Sequence, residues 1–462
     1  MTDLQALVAD LGDVPYLDDA KRVRPKSRDR FAQSPILREL LKDKYAEIVI
    51  SPRDKDELRI AVAACARHRV PITVRGGGTG NFGQGVPLNG GAILDVTGLA
   101  GVLWHRDGKV RARAGTVIAD IDDVTREDGW ELRVHPSTKR TATIGGFLAG
   151  GHAGIGSVQY GIMRDRGNIS AIEIMTVEEE PRLIELRGAD VNIVHHAYGS
   201  NGVITEVELP LAHAWTWNEI VVMFADFGDA SRFAVKLASS DGLLKKVVSL
   251  HAWPLPSYFR PLAPYVRDGH AMVMAMVAQE CMEPLRDLVA ECGGEITGEA
   301  PEGRGDYGCP IYEFTWGHAG THYQRHDRTL TGLIGLFPPG DLLGAIDRVH
   351  ENLGDVGHLN MEFKRFDGML SSQGSPEFPF QGEDHMAEVV KRLEAEGCRV
   401  ANSHTYLLGA GGMKPIGERE IAFKRDVDPY GLLNQGKVDY GDGVAEDAPS
   451  LPIAGWSYER TG

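Results

Sequence analysis

Residues 75–81, Arg75-Gly76-Gly77-Gly78-Thr79-Gly80-Asn81, put a run of backbone amides with little Cβ obstruction beside one guanidinium, a combination suited to a bound diphosphate. Gly78, Gly80 and Gly83 also spell the G-x-G-x-x-G fingerprint of a dinucleotide site. That fingerprint needs a helix to start at the loop, because the pyrophosphate rests on the helix's first amides. Here Gln84-Gly85-Val86-Pro87-Leu88-Asn89-Gly90-Gly91 follows, and its glycines and proline forbid a stable helix interior. What remains is an anion-binding nest, with a plain glycine-rich turn between two strands as the alternative. A second stretch favours the nest: Pro136-Ser137-Thr138, Thr143-Ile144-Gly145-Gly146, Gly150-Gly151-His152-Ala153-Gly154-Ile155-Gly156-Ser157 and Tyr160-Gly161. Two flexible, amide-rich loops in one domain suit a long ligand with phosphates in its middle.

Proton chemistry points to the other half of the chain. In Tyr312-Glu313-Phe314-Thr315-Trp316-Gly317-His318-Ala319-Gly320-Thr321-His322-Tyr323, alternation of Tyr312, Phe314 and Trp316 predicts a strand that Gly317 and Gly320 break. His318 and His322 then sit on an irregular edge or a helix start, where a neutral imidazole could act as a base or merely satisfy a buried carbonyl. At i, i+4 they could also share a metal if helical, with His358 or His404. The alternating segment 358–366 puts His358, Asn360, Glu362, Lys364 and Phe366 on one face, which could look into a pocket or into solvent. Arg325, Lys364 and Lys414 are candidates for a substrate carboxylate, and nothing local selects among them.

Several elements must position these groups. Ile48-Val49-Ile50 reads as a buried strand, 54–68 as a helix with acids at its start and Arg67, His68 and Arg69 at its end, and Ile72-Thr73-Val74 as a strand running into the glycine loop. Further strands are predicted over 92–96, 109–114, 171–176, 183–186 and 204–211, with a helix over 117–129. Met272, Met274 and Met276 alternate as in a half-buried strand. The basic block from Lys21 to Lys44, nine Lys or Arg mixed with Asp29, Glu39 and Asp43, reads as a solvated arm or helix.

A chain of 462 residues is too long for one ordinary core, so two or three domains are expected. A formal charge of −16 disfavours nucleic acid and anionic membranes, leaving small molecules or proteins as partners. The five cysteines contain no C-x-x-C pair, no run reaches the roughly 18 apolar residues of a membrane span, and the N-terminus lacks a signal pattern. A cytoplasmic protein without a membrane span is expected.

Residues about 45 to 211 resemble the FAD-binding domain of the vanillyl-alcohol oxidase/p-cresol methylhydroxylase (PCMH) superfamily, which includes D-lactate and glycolate oxidase-like flavoproteins. The resemblance is carried by Val74 to Gly80, Ala92-Ile93-Leu94-Asp95, Thr143 to Gly146, Gly154 to Ser157 with Tyr160-Gly161, and Gly199-Ser200-Asn201-Gly202-Val203-Ile204-Thr205. Asp428-Pro429 and Leu432 to Lys437 resemble the family's closing segment, although Gln435 stands where proline is commoner. The fold class implied is α+β: a PCMH-type FAD-binding domain of two α+β subdomains, plus an α+β substrate (cap) domain. The expected boundaries are an N-terminal arm over 1–44, the FAD-binding domain over 45–212, the cap over 213–410, a closing segment over 411–440 and a tail over 441–462.

The resemblance implies that Arg75, Gly76, Gly77, Gly78, Thr79, Gly80, Asn81, Gln84, Pro136, Thr143, Gly145, Gly146, Gly154, Ser157, Tyr160, Gly161, Val203, Ile204, Asn434 and Lys437 hold FAD. Some members attach FAD covalently through a His beside the first loop or a downstream Cys. Asn81 stands where that His would be and no Cys lies between 66 and 280, so noncovalent FAD is expected. Some relatives carry a divalent ion on a His-Ala-Gly-Asp-Gly-Asn-Leu-His pattern. His318-Ala319-Gly320 begins like it and then departs, so no metal is expected. The implied activity is an FAD-linked oxidase or dehydrogenase oxidising a CH–OH substrate, a 2-hydroxy acid or another alcohol, by hydride transfer to flavin N5 with His318 or His322 as general base. A catalytically silent flavin subunit of a larger redox complex and a nicotinamide-dependent reductase are the alternatives, and a homodimer is compatible with the sequence.

Overall fold

Strand Ile48–Ile50, helix Lys55–Arg67 and strand Ile72–Arg75 form a right-sized crossover unit, because Asp54 caps the helix by accepting from the Asp56 and Glu57 amides. Both strands pair in parallel with Ala92–Asp95, and Tyr16–Leu17 adds an antiparallel edge. The computed structural model describes residues 4–440, so the tail expected over 441–462 lies outside the described residues. Among the described residues there are two further sheets. One has six strands, with Val203–His213 at its centre and Lys109–Arg113, Ala171–Met175 and Trp130–Leu132 paired antiparallel to it. These two sheets, each with its own apolar core, form two α+β halves, the arrangement that the resemblance implies.

The third sheet has nine strands and is antiparallel in every pairing. Helices Phe227–Ser239, Leu342–Leu353 and Glu383–Ala395 contribute to its core. Ala271–Ala278 lies in its interior with every residue buried, so the methionine alternation marks a strand covered on both faces rather than one. Neighbouring strands His358–Phe366 and Met369–Pro379 form a long ladder whose residues reach the site.

Three segments differ from the sequence reading. Tyr312 to Trp316 is a 3-10 turn, Ile311–Phe314, followed by helix Gly317–His326, not a strand. Three alternating aromatics are too few to separate a period of two from a tight turn, and Pro310 with the Thr315 hydroxyl on the Tyr312 carbonyl settles it locally. The second glycine segment is not all loop, since Thr143 accepts from the Gly146 amide and starts helix Ile144–Gly150. The basic block is not a free arm: Phe31, Leu37 and Leu41 are buried against Val86, Tyr406 and Leu407, and helices Ala20–Lys26 and Pro35–Leu41 pack down with them. No helix among the described residues is long and apolar enough to cross a membrane.

The flavin-type half and the large sheet meet over buried charge. Glu131 is fully buried, pairs with Arg126, lies 3.0 Å from the equally buried Lys246 Nζ and accepts from the Trp217 indole at 3.0 Å. Replacing Glu131 by alanine leaves the buried Lys246 only the more distant Asp122 carboxylate, and the expected loss is about 3 kcal/mol of unfolding free energy, read from urea midpoints. A loss under about 1 kcal/mol would mean that water reaches this contact.

Candidate active site: a glycine-lined cleft facing a polar sheet

Strand Ile72–Arg75 delivers the chain into the first glycine loop, and its neighbours press in from every side. A Cβ on Gly76 would run into the Thr143 side chain, and one on Gly77 into the Thr141 carbonyl. Gly145 lies as tightly on Ala114. Only glycine lets the two loops approach backbone to backbone. Among the described hydrogen bonds, none uses the amides of residues 77–81, while the Arg75 guanidinium, largely buried, lies beside them with Nη1 donating to the Arg28 carbonyl at 2.6 Å. Free amides and a cation with no acid on the loop itself form a donor set that fits a pyrophosphate.

The loop's outer side is clamped by the N-terminal block and the closing segment. The Arg30 amide donates to the Gly80 carbonyl at 2.7 Å, and Asp29 accepts from the Phe31 and Gly85 amides. Lys437, fully buried, donates to the Gly83, Gln84 and Val86 carbonyls, and the Asn434 amide group donates to Gln84 and Tyr198 carbonyls. Burial pushes the Asp29 carboxyl up and the Lys437 ammonium down. Leu433 bridges in parallel to Ile72, which brings the closing segment back to the loop.

A cavity of about 370 Å³ runs from these loops to the large sheet. Its far wall includes Arg30, Trp316, His318, Asn360, Glu362 and Glu377. Arg30 Nη1 donates to His318 Nε2 at 2.8 Å; because arginine has donors only, the imidazole's lone pair faces the guanidinium. Desolvation, then Arg30, holds His318 down at about 4, so it is neutral near pH 7. Glu362 is buried, and desolvation pushes it up to about 8 against the Trp316 amide and Ser249 hydroxyl that donate to its Oε1. Glu377 is pushed up to about 7 by burial. Lys364 is drawn down to about 7 by burial and Arg164, with Nζ donating to Gln373 Oε1 at 3.1 Å and lying 3.5 Å from His152 Nε2.

The structure sorts the residues named from sequence. Arg75, Gly76, Gly77, Gly78, Thr79, Gly80, Asn81, Gln84, Pro136, Thr143, Gly145, Gly146, Gly154 and Ile204 line the cavity, together with His318. Ser157, Tyr160, Gly161, Val203, Asn434 and Lys437 do not: the Ser157 hydroxyl accepts from the Gly154 amide, and Asn434 and Lys437 brace the first loop from behind. His322 also stands off the wall, with ring centres 4.9 Å from Phe314 and 5.5 Å from Phe259. His404 is held between the Ser34 hydroxyl and the Gly332 carbonyl. Among the described residues no three His, Cys, Asp or Glu gather as a metal site. Of the carboxylate candidates, Lys414 donates to the Asn192 and His195 carbonyls, and Arg325 is exposed.

Arg30, Gln33 and Ser34 were not singled out from sequence, although they line the cavity. Arg30 and His318 are 288 residues apart, and no local pattern joins them. The one available signal was the placing of Phe31, Leu37 and Leu41 inside a basic block, which marks it as packed rather than solvated.

Residues 46–180 match the family model described as an FAD binding domain. The D-lactate dehydrogenase of Archaeoglobus fulgidus is 26% identical over 227 residues, 46% of this chain and 49% of that protein. The glycolate oxidase subunit GlcD of Bacillus subtilis is 31% identical over 121 residues, 26% of each chain. The chain thus spans about half the length, or less, of these curated relatives. Among solved structures, an alkyldihydroxyacetonephosphate synthase superposes over 93% of this chain and 85% of its own with a TM-score of 0.68, at 15% identity, a likeness of fold. Residues 46–180 therefore match an FAD binding domain, the chain carries a PCMH-type fold, and FAD is its cofactor.

Proposed function

We propose that this chain is an FAD-linked oxidoreductase that oxidises the CH–OH carbon of a 2-hydroxy acid or a related alcohol, with FAD held noncovalently. The carrying observation is the Arg30–His318 pair on a cavity continuous with the glycine loops. Bound FAD supplies the hydride acceptor. A substrate carboxylate draws Arg30 into a charge-assisted, bidentate pair and releases the lone pair of His318 Nε2. The neutral imidazole then takes the hydroxyl proton as hydride leaves the same carbon, and the oxygen's electrons close the C=O bond. Relatives named D-lactate dehydrogenase and glycolate oxidase support a 2-hydroxy acid as the substrate. The residues lining the cavity include no cysteine, and Asn81 ends the loop, in keeping with noncovalent FAD. Denatured protein is then expected to release all its flavin on a gel.

The test is anaerobic addition of 2-hydroxy acids, aromatic alcohols and sugar alcohols, read as flavin bleaching. Bleaching by at least one hydroxy acid is expected. Arg30→Ala should raise KM for that acid by about 30-fold or more, the ratio that ~2 kcal/mol of a lost charge-assisted hydrogen bond implies. An unchanged KM would place the carboxylate elsewhere. The similarity to a glycolate oxidase subunit favours a second reading, a flavin subunit silent on its own. That reading predicts no bleaching by any compound of the panel.

A further inference from the structure

We infer that Glu362 is a positioning residue for His318, acting through a closed ring of hydrogen bonds that grips helix Gly317–His326 on both sides of that histidine. The inference rests on the His318 base proposed above. On one side the Trp316 amide, immediately before the helix, donates to Glu362 Oε1 at 2.6 Å. On the other, the Tyr323 hydroxyl lies 2.6 Å from His251 Nδ1, His251 Nε2 lies 2.8 Å from the Ser249 hydroxyl, and that hydroxyl donates to the same Oε1 at 2.9 Å. One direction satisfies every donor: Tyr323 to His251, His251 to Ser249, Ser249 to Glu362. The backbone from Trp316 to Tyr323 closes the ring, with His318 between the anchors.

Backbone geometry points the same way. Trp316 has φ of 53°, a left-handed conformation that a bulky side chain adopts only when its surroundings impose it, and this conformation accompanies the amide bond to Glu362. Tyr323, His251 and Ser249 are fully buried, so these three groups have no bulk water to exchange with, while Glu362 and Trp316 border the cavity. Glu362 Oε2 has no partner among the described residues. The other titratable groups around the carboxyl are Lys364 on its own strand, His251 and Tyr323 in the ring, and Glu377 on the neighbouring strand. Burial holds Glu362 up at about 8, so the ring is uncharged at pH 7 and gains a charge as pH rises through that value.

The experiment compares E362A, E362Q, S249A and Y323F in the FAD-loaded protein. E362A should lower kcat by about 100-fold, the scale of a misplaced catalytic group, with KM and flavin content little moved. E362Q, which still accepts at Oε1, should recover most of that loss, and S249A and Y323F should fall between. Nitrogen-15 spectra of the histidine rings supply a readout independent of turnover: the His318 signals should inflect near pH 8 in the parent protein and not in E362Q. Equal loss in E362A and E362Q, or an inflection that persists in E362Q, overturns the inference. If the parent protein bleaches with no substrate, the oxidation reading fails while the ring titration still decides whether Glu362 governs His318.

Discussion

Replacing His318 by alanine is expected to cut kcat by about 10²–10⁴-fold, the contribution of a positioned general base, while FAD stays bound. Among the described hydrogen bonds, the His318 imidazole meets Arg30 and the Glu313 backbone and none of the glycine loops. Stopped-flow flavin reduction under saturating hydroxy acid is the measurement, because it isolates the proton-coupled step from reoxidation. The pH profile carries the sign. Burial and Arg30 depress His318 to about 4, so the base is neutral above that value and is lost as pH falls through it. The second-order rate of reduction at low hydroxy acid, which reports the free protein, should therefore drop on the acid side near pH 4, and H318A should lack that limb. A loss under about tenfold would assign the proton to another group. His322, stacked near Phe259 and Phe314 away from the cavity wall, should by contrast act mainly on stability when replaced.

Gly77→Ala is expected to yield protein largely free of flavin, with FAD affinity down by at least about 100-fold, equal to ~2.7 kcal/mol. The added Cβ would sit on the Thr141 carbonyl oxygen and against Ala142. That backbone cannot step aside cheaply. The Thr141 and Ala142 amides both donate to the Thr138 carbonyl, and the Ala142 carbonyl accepts from Ile118. The first loop would have to withdraw, carrying the amides of residues 77–81 away from the phosphates they suit. Absorbance of bound flavin in the purified protein, and titration of the apoprotein with FAD, are the checks. Gly340→Ala is the control, since that exposed glycine has open space around it and the variant should load normally. Full loading of G77A would mean that the cleft opens more readily than its hydrogen bonds suggest.

Local chemistry made much of the flavin half readable. Asp54 at the start of a helix and Arg67 near its end, β-branched residues at Ile72-Thr73-Val74, and a proline and glycines after Gly83 each dictate a backbone state within a few residues. The sequence therefore excluded a Rossmann helix after the loop, and residues 76–91 form bends and turns with no helix, as that argument requires. The large sheet was harder. Three alternating aromatics before Trp316 suggested a strand because period two over so few residues is indistinguishable from a turn, whereas Pro310 and the Thr315 side chain act through contacts that a pattern does not show.

The site itself divides along the same line. A candidate diphosphate nest between 75 and 81, and candidate bases near 318, could be named from residue types, because glycines leave amides open and histidine is neutral near pH 7, although a plain turn and structural histidines fit the same runs. Which histidine faces the cavity was left to packing: helix Gly317–His326 turns His318 toward Arg30 and its neighbour four residues on toward two phenylalanines. Arg30 and Glu362 acquire their parts only in the folded chain. A long-range hydrogen bond or a desolvated carboxyl exists only when elements hundreds of residues apart meet, and neither leaves a periodic trace in the order of residues. The sequence, through its resemblance to a known family, pointed to FAD and to a candidate loop for it; tertiary structure decided which groups line the cavity and how deeply each is buried, since both depend on packing.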